Sequence, residues 1–132
     1  MTDNKRYRGF CCVSYLNENQ IKEVLYKHDK QIRAYAYILH DKDTEQGNPK
    51  EKHFHILLQL VHATTPQAIR NWFTGYTDSK NLPINTLAQP MHDISSSFVY
   101  LTHTDENSIQ AGKYQYMKVL FFWIPLLCVF IV

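Results

Sequence analysis

A chain of 132 residues with a formal net charge of +2, 45% hydrophobic and 20% charged, holds material for one domain with a modest core and hardly enough for two. So small a charge, scattered along the chain with no basic block, is not by itself a signature of nucleic-acid binding. Cys11, Cys12 and Cys128 are odd in number and show no C-x-x-C spacing, which argues against a disulfide framework or a zinc knuckle and fits a reducing cytosol.

The opening segment, MTDNKRYRGF, has basic residues with no apolar stretch behind them, unlike a secretory signal, so a cytoplasmic protein is expected. Tyr7 to Leu16 is rich in aromatic and β-compatible residues and predicts a first strand. Asn17 stands at an N-cap with Gln20 in the capping-box position, and Ile21, Val24, Leu25 and His28 follow at helical spacing, predicting a surface helix over 17–30. Ile32 to His40 and Lys52 to Leu60 read as two strands. The loop between them contains the turn formers Gly47, Asn48 and Pro49, so they are expected to pair as an antiparallel hairpin. Thr65 caps a second helix that Pro66 opens, with Ile69, Trp72, Phe73 and Tyr76 on one stripe. Leu82 to Met91 supplies a fourth strand whose prolines confine it to an edge. Asp93 caps a third helix running to Thr104, with Ile94, Phe98 and Leu101 as its apolar stripe and Tyr100 on its polar side. The order is β-α-β-β-α-β-α, an α+β domain with helices on one face of an antiparallel sheet.

The domain is expected to occupy residues 1–118. From Val119 onward the chain is an uncharged tail, VLFFWIPLLCVFIV. As a helix its residues would reach about 21 Å, short of the roughly 30 Å of a bilayer core, and Pro125 interrupts them, which argues against a membrane span. A segment packed on the core or on a partner and an aberrant C-terminus both remain open.

The segment KHFHILLQL, Lys52 to Leu60, carries the strongest chemical signal. Side chains two apart on a strand share a face, so His53, His55, Leu57 and Gln59 point one way. Phe54, Ile56, Leu58 and Leu60 point the other way, as a continuous apolar row suited to packing against helices. The histidines therefore belong on the sheet face away from the main core. On the preceding strand His40 lies at the hairpin end, followed by Asp41 and Asp43, so pairing brings a third imidazole and a carboxylate beside the first two. Three nitrogens and an oxygen suit Mn²⁺ or Zn²⁺ better than Mg²⁺, which prefers oxygen shells. An isolated H-x-H is ordinarily a pair of half-exposed surface histidines; the facing HDKD favours a metal. A structural zinc site is disfavoured because such sites are closed and cysteine-rich, leaving an open catalytic metal as the expectation.

AYILHDKD, KHFHILL and VYLTH, in this order and at these separations, resemble the motifs of the rolling-circle replication initiators of small bacterial plasmids, members of the HUH endonuclease superfamily named for a His-hydrophobic-His strand. The resemblance covers about Tyr7 to Tyr116. Residue by residue it implies that His40, Asp43, His53 and His55 bind the metal, with Mn²⁺ favoured and Mg²⁺ an option, and that Tyr100 is the nucleophile. Asp41 would then lie outside the metal's ligands. It also implies a sheet of about five antiparallel strands, with Ile84 to Gln89 and the region near Lys113 to Tyr116 contributing. The implied activity is that of a site-specific single-strand endonuclease and strand transferase. Such an enzyme nicks the plasmid origin through a 5′-phosphotyrosine and leaves a 3′-OH for a host polymerase. DNA, as an origin hairpin or single-stranded loop, is the expected partner, with host replication proteins and self-association alongside.

Arg6, Arg8, Arg33, Lys50, Lys52, Arg70 and Lys113, with Tyr35 and Tyr37 nearby, are candidates to contact phosphates and stack on unpaired bases. Tyr114 and Tyr116 are rival nucleophiles, set aside because VYLTH carries the matching motif. Two other classes stay open: a metal-dependent phosphohydrolase using water or histidine, against which Leu57 stands where a third alternating histidine would be needed, and a catalytically silent DNA-binding or membrane-associated remnant, which the apolar tail would suit.

Overall fold

The apolar row of Phe54, Ile56, Leu58 and Leu60 becomes the floor of the core, and everything else is arranged around that strand. The computed structural model describes residues 4–41, 44–45, 48–49, 51–92, 120–123 and 128–131. Its elements are β1 (Tyr7–Ser14), α1 (Glu18–Lys27), β2 (Ile32–His40), β3 (Thr44–Glu45), β4 (Asn48–Pro49), β5 (His53–Thr64), α2 (Pro66–Trp72), β6 (Thr86–Pro90), β7 (Leu120–Trp123) and β8 (Cys128–Ile131). Six strands form one antiparallel sheet in the order β6-β1-β5-β2-β7-β8, and β3 pairs with β4 separately. This is the α+β architecture expected, with both helices on one face.

Local chemistry explains the helix ends. Asn17 Oδ1 accepts from the Gln20 amide at 2.8 Å while Gln20 Oε1 accepts from the Asn17 amide at 3.0 Å, closing a capping box at the start of α1. The helix stops at Lys27, short of the expected 30, and a 3₁₀ turn over Asp29–Gln31 leads into β2. His28, expected on the apolar stripe, instead leaves the helix axis and stacks on Trp72, centroids 4.1 Å apart and 3° from parallel. At α2, Thr65 Oγ1 accepts from the Ala68 amide at 3.2 Å and Pro66 opens the first turn. Tyr76 lies past the end of α2 and donates its hydroxyl to Glu23 Oε1 at 2.9 Å, so its expected place on the helix stripe becomes a tie to α1.

Ile21, Val24 and Leu25 of α1, Ile69 of α2 and Phe73 pack onto the β5 row and onto Phe10 and Cys12 of β1, all buried. Burying an aliphatic or aromatic side chain of this size contributes about 1.5–3 kcal/mol each, which makes this layer the main stabilising term. β6 pairs only with β1 and closes the sheet at one side, the edge position its flanking prolines require. On the other side β7 pairs with β2 from Ala34↔Trp123 to Tyr37↔Leu120, and β8 pairs with β7, so parts of the apolar tail extend the sheet. Among the described residues no helix is long and apolar enough to cross a membrane. The third helix expected from Asp93 and the strand expected near Lys113 to Tyr116 lie outside the described residues.

Candidate metal centre

Register decides which side chains meet on the face opposite the helices. β5 is flanked by β1 and β2, and the Cα partners are His40↔His53 and Ile38↔His55 on one side and Val13↔His55 on the other. Directly opposed residues of an antiparallel pair share a face, so His40, His53 and His55 all project from the surface that α1 and α2 leave uncovered. Their ring centroids are 4.1 Å apart for His40 and His55, 5.0 Å for His53 and His55, and 5.5 Å for His40 and His53. One ring nitrogen from each lies within 4.8 Å of the other two.

The expected openness of this face is corrected at the histidines themselves. His40 is fully enclosed at 0% exposure and His53 at 2%, with His55 half-buried on the accessible side. His40 packs against both other imidazoles, and His53 lies against them and the Tyr15 ring. Within the H-x-H pair itself, His53 is enclosed and His55 half-buried, so His53 departs from the half-exposed surface pair that an isolated H-x-H would suggest.

The donor chemistry fits a divalent cation. His53 Nδ1 lies 2.9 Å from the Glu51 carbonyl, and because a carbonyl only accepts, Nδ1 carries the proton. That leaves the lone pair of the neutral ring on Nε2 and fixes the ring's direction, the arrangement by which a backbone carbonyl orients a metal-binding histidine. Metal–nitrogen bonds of roughly 2.0–2.1 Å are within reach of three nitrogens this close after small side-chain rotations. Asp41 is exposed beside His40. Asp43 and Tyr100, the other two residues of the expected site, lie outside the described residues, as do Tyr114 and Tyr116.

Two of the residues expected to stack on DNA are elsewhere. Tyr37 faces the helices, 3% exposed, and donates its hydroxyl to Glu18 Oε2 at 3.0 Å; Tyr35 lies parallel to it on the same face at 6.1 Å. Their odd numbering places them opposite Ile56 and Leu58, hence on the core side. Arg70 is also committed to structure, its Nη1 donating to Gln67 Oε1 at 3.1 Å and its Nη2 to the Ala88 carbonyl at 3.3 Å, tying α2 to β6. Arg6, Arg8, Arg33 and Lys52 are exposed. Conversely, Tyr15, which nothing in the sequence pattern singled out, sits 5.7 Å from the His53 ring. Its signal was parity: it continues the Cys11, Val13 series that shares a face with the histidines.

The described residues thus form an antiparallel α+β domain with three imidazoles gathered on the sheet face opposite α1 and α2. Residues 2–121 match the family described as plasmid replication protein, origin binding domain, and the chain belongs to that family. It is also similar to a protein named "Replication protein" from Onion yellows phytoplasma (strain OY-M), 27% identical over an alignment of 113 positions that covers 76% of this chain and 27% of the relative. The chain therefore spans about a quarter of the length of that curated relative.

Proposed function

We propose that the chain is a metal-dependent nicking and strand-transfer domain that opens a plasmid replication origin to start rolling-circle synthesis. The observation that carries the reading is the convergence of His40, His53 and His55 on one sheet face in a chain of the plasmid replication family. His40, His53 and His55, with Asp43, would hold the ion, Mn²⁺ in preference to Mg²⁺ because nitrogen donors dominate. Such an ion supplies Lewis-acid charge to a phosphate.

The remaining chemistry belongs to side chains. A phenol, with a pKa near 10, is a weak nucleophile at neutral pH and needs the phosphate held in line and its charge offset. Tyr100 Oη attacks the scissile phosphorus as the bond to the 3′ oxygen breaks. The phenolic proton is given up, the departing oxygen takes one and becomes a 3′-OH, and the 5′ phosphate stays on Tyr100. Bond energy is conserved in that ester, so a second transfer rejoins DNA ends without a nucleotide cofactor, and the 3′-OH primes a host polymerase. His53, oriented by the Glu51 carbonyl, and the enclosed His40 give the site a rigid side, and half-buried His55 gives it an accessible one.

The test is a denaturing gel of the full chain after incubation with Mn²⁺ and a labelled single-stranded DNA library that includes hairpin loops. The expected result is an SDS-resistant protein–DNA band that needs metal and disappears in Tyr100→Phe. In His55→Ala cleavage should fall by more than the roughly 10- to 100-fold that loss of an outer-shell partner costs a metal site. Cleavage with no covalent band, retained in Tyr100→Phe, would replace the reading with a water-using phosphohydrolase. DNA binding with no cleavage by any variant would leave a silent origin-binding domain.

A further inference from the structure

The face that carries the histidines is covered unevenly, and the unevenness has a direction. Across the sheet through His55 the row is Leu87 on β6, Val13 on β1, His55 on β5 and Ile38 on β2. Leu87 is 59% exposed, Val13 and His55 are half-buried and Ile38 is 4% exposed. The neighbouring row repeats the trend, from exposed Gln89 through half-buried Cys11 to buried Leu57 and Ala36. A molecule reaching the imidazoles over this face therefore arrives from the β1–β6 side. At that entrance, one residue beyond β1, stands Tyr15, 41% exposed with its ring tilted 50° to that of His53 at 5.7 Å.

A partly exposed aromatic ring against an imidazole of the cluster, with exposed Leu87 two strands across from His55, is an arrangement well suited to a nucleobase. Other described tyrosines are occupied or remote. Tyr35 and Tyr37 face the helices, Tyr76 is bonded to α1, Tyr7 is edge-on to Phe10, and Tyr26 is on the outer surface of α1. A base and its own phosphate are one sugar apart, so a strand whose phosphate lies among the histidines presents a neighbouring base at the ring next to His53.

We propose that Tyr15, flanked by Val13 and Leu87, is the stacking platform that seats a single-stranded DNA base beside the histidine cluster and so positions the adjacent phosphate. The inference rests on the reading above, that a DNA strand occupies this face. Tyr15 acts here through its ring, with no part in bond making. Stacking of a base on an aromatic side chain is sequence-tolerant, and its loss on alanine substitution is worth a substantial factor in affinity.

The test uses the full chain and a fluorescein-labelled 20-nucleotide oligo(dT) in EDTA, so that binding is read without cleavage. Tyr15→Ala is expected to weaken binding about five- to a hundred-fold and Tyr15→Phe to stay within about two-fold of the unaltered protein. With 5-iodouracil in place of thymine, irradiation of the unaltered protein should attach DNA to the peptide containing Tyr15, which keeps the test valid should Tyr15→Ala fail to fold. Equal losses in Tyr15→Phe and Tyr15→Ala would overturn the proposal in favour of a hydroxyl contact. Unchanged binding by Tyr15→Ala with cross-links elsewhere would overturn it outright while leaving DNA on this protein. An unaltered protein that binds neither the oligo(dT) nor the hairpin library would remove the parent reading as well.

Discussion

Tyr37 shows how strongly parity governs single residues in this protein. It lies one residue from Ile38, which packs beneath the histidine face, yet its own ring is on the opposite side, with its hydroxyl on Glu18. Burial first, and then the hydrogen bond and negative charge of Glu18, push the Tyr37 phenol well above its ordinary range. Burial also raises Tyr35, and burial and Glu23 raise Tyr76. The folded state thus keeps protons that the unfolded chain loses near pH 10, so these groups leave stability level below that pH and lower it as pH rises beyond. Urea midpoints at about pH 8 and about pH 10.5 should show this fall, and Tyr37→Phe should flatten it. At neutral pH the same substitution should cost about 1–3 kcal/mol, as expected for a lost hydrogen bond to a charged acceptor. A fall of the same steepness in Tyr37→Phe would show that other groups govern the alkaline limit.

At the scale of elements, short-range signals are legible in the sequence because they act over three or four residues. The capping box Asn17/Gln20, the Thr65 cap and the N1 proline all name a helix start from side-chain chemistry alone. Asn17→Ala is expected to lower stability by about 1 kcal/mol, measured by chemical denaturation, with the slope of the transition unchanged. Helix ends depend on more distant partners. α1 gives way to a 3₁₀ turn before β2, and His28 finds a stacking partner in Trp72, which is far away in sequence. That partner exists only once α2 has docked. The apolar tail is the reverse case: its composition called for cover, and in the fold parts of it supply edge pairing to β2. Deleting Leu120–Val132 removes that pairing and bares a strand edge. The truncated chain should melt at a lower temperature and aggregate sooner than the full one, as followed by fluorimetry and light scattering; equal melting points would mean that β7 adds nothing to stability.

For the molecule as a whole, the sheet order is the decisive feature, because it sets β5 between β1 and β2 and so brings residues from three strands to one place. A ligand that binds the folded state and not the unfolded one stabilises by mass action, about 2.7 kcal/mol at a hundred times its dissociation constant. Mn²⁺ should therefore raise the melting temperature of the full chain, EDTA should reverse the rise, and His53→Ala should abolish it. A rise of equal size in His53→Ala would place the ion elsewhere. Binding to the oligo(dT) probe should weaken steeply with salt, since it runs through phosphates.

The sequence alone determined the starts of α1 and α2, the two faces of the strand that carries His53 to Leu60 and the His-x-His pair, because period-2 alternation and capping are local. It also carried the family resemblance, with which membership in the plasmid replication proteins' origin-binding domains agrees. Register and strand order were decided only in the tertiary structure, where pairings link residues far apart in the chain. They enclosed His40 and His53 and turned Tyr35 and Tyr37 toward the helices. The same long-range pairing put Tyr15 beside His53, where local parity gives only the face on which Tyr15 lies.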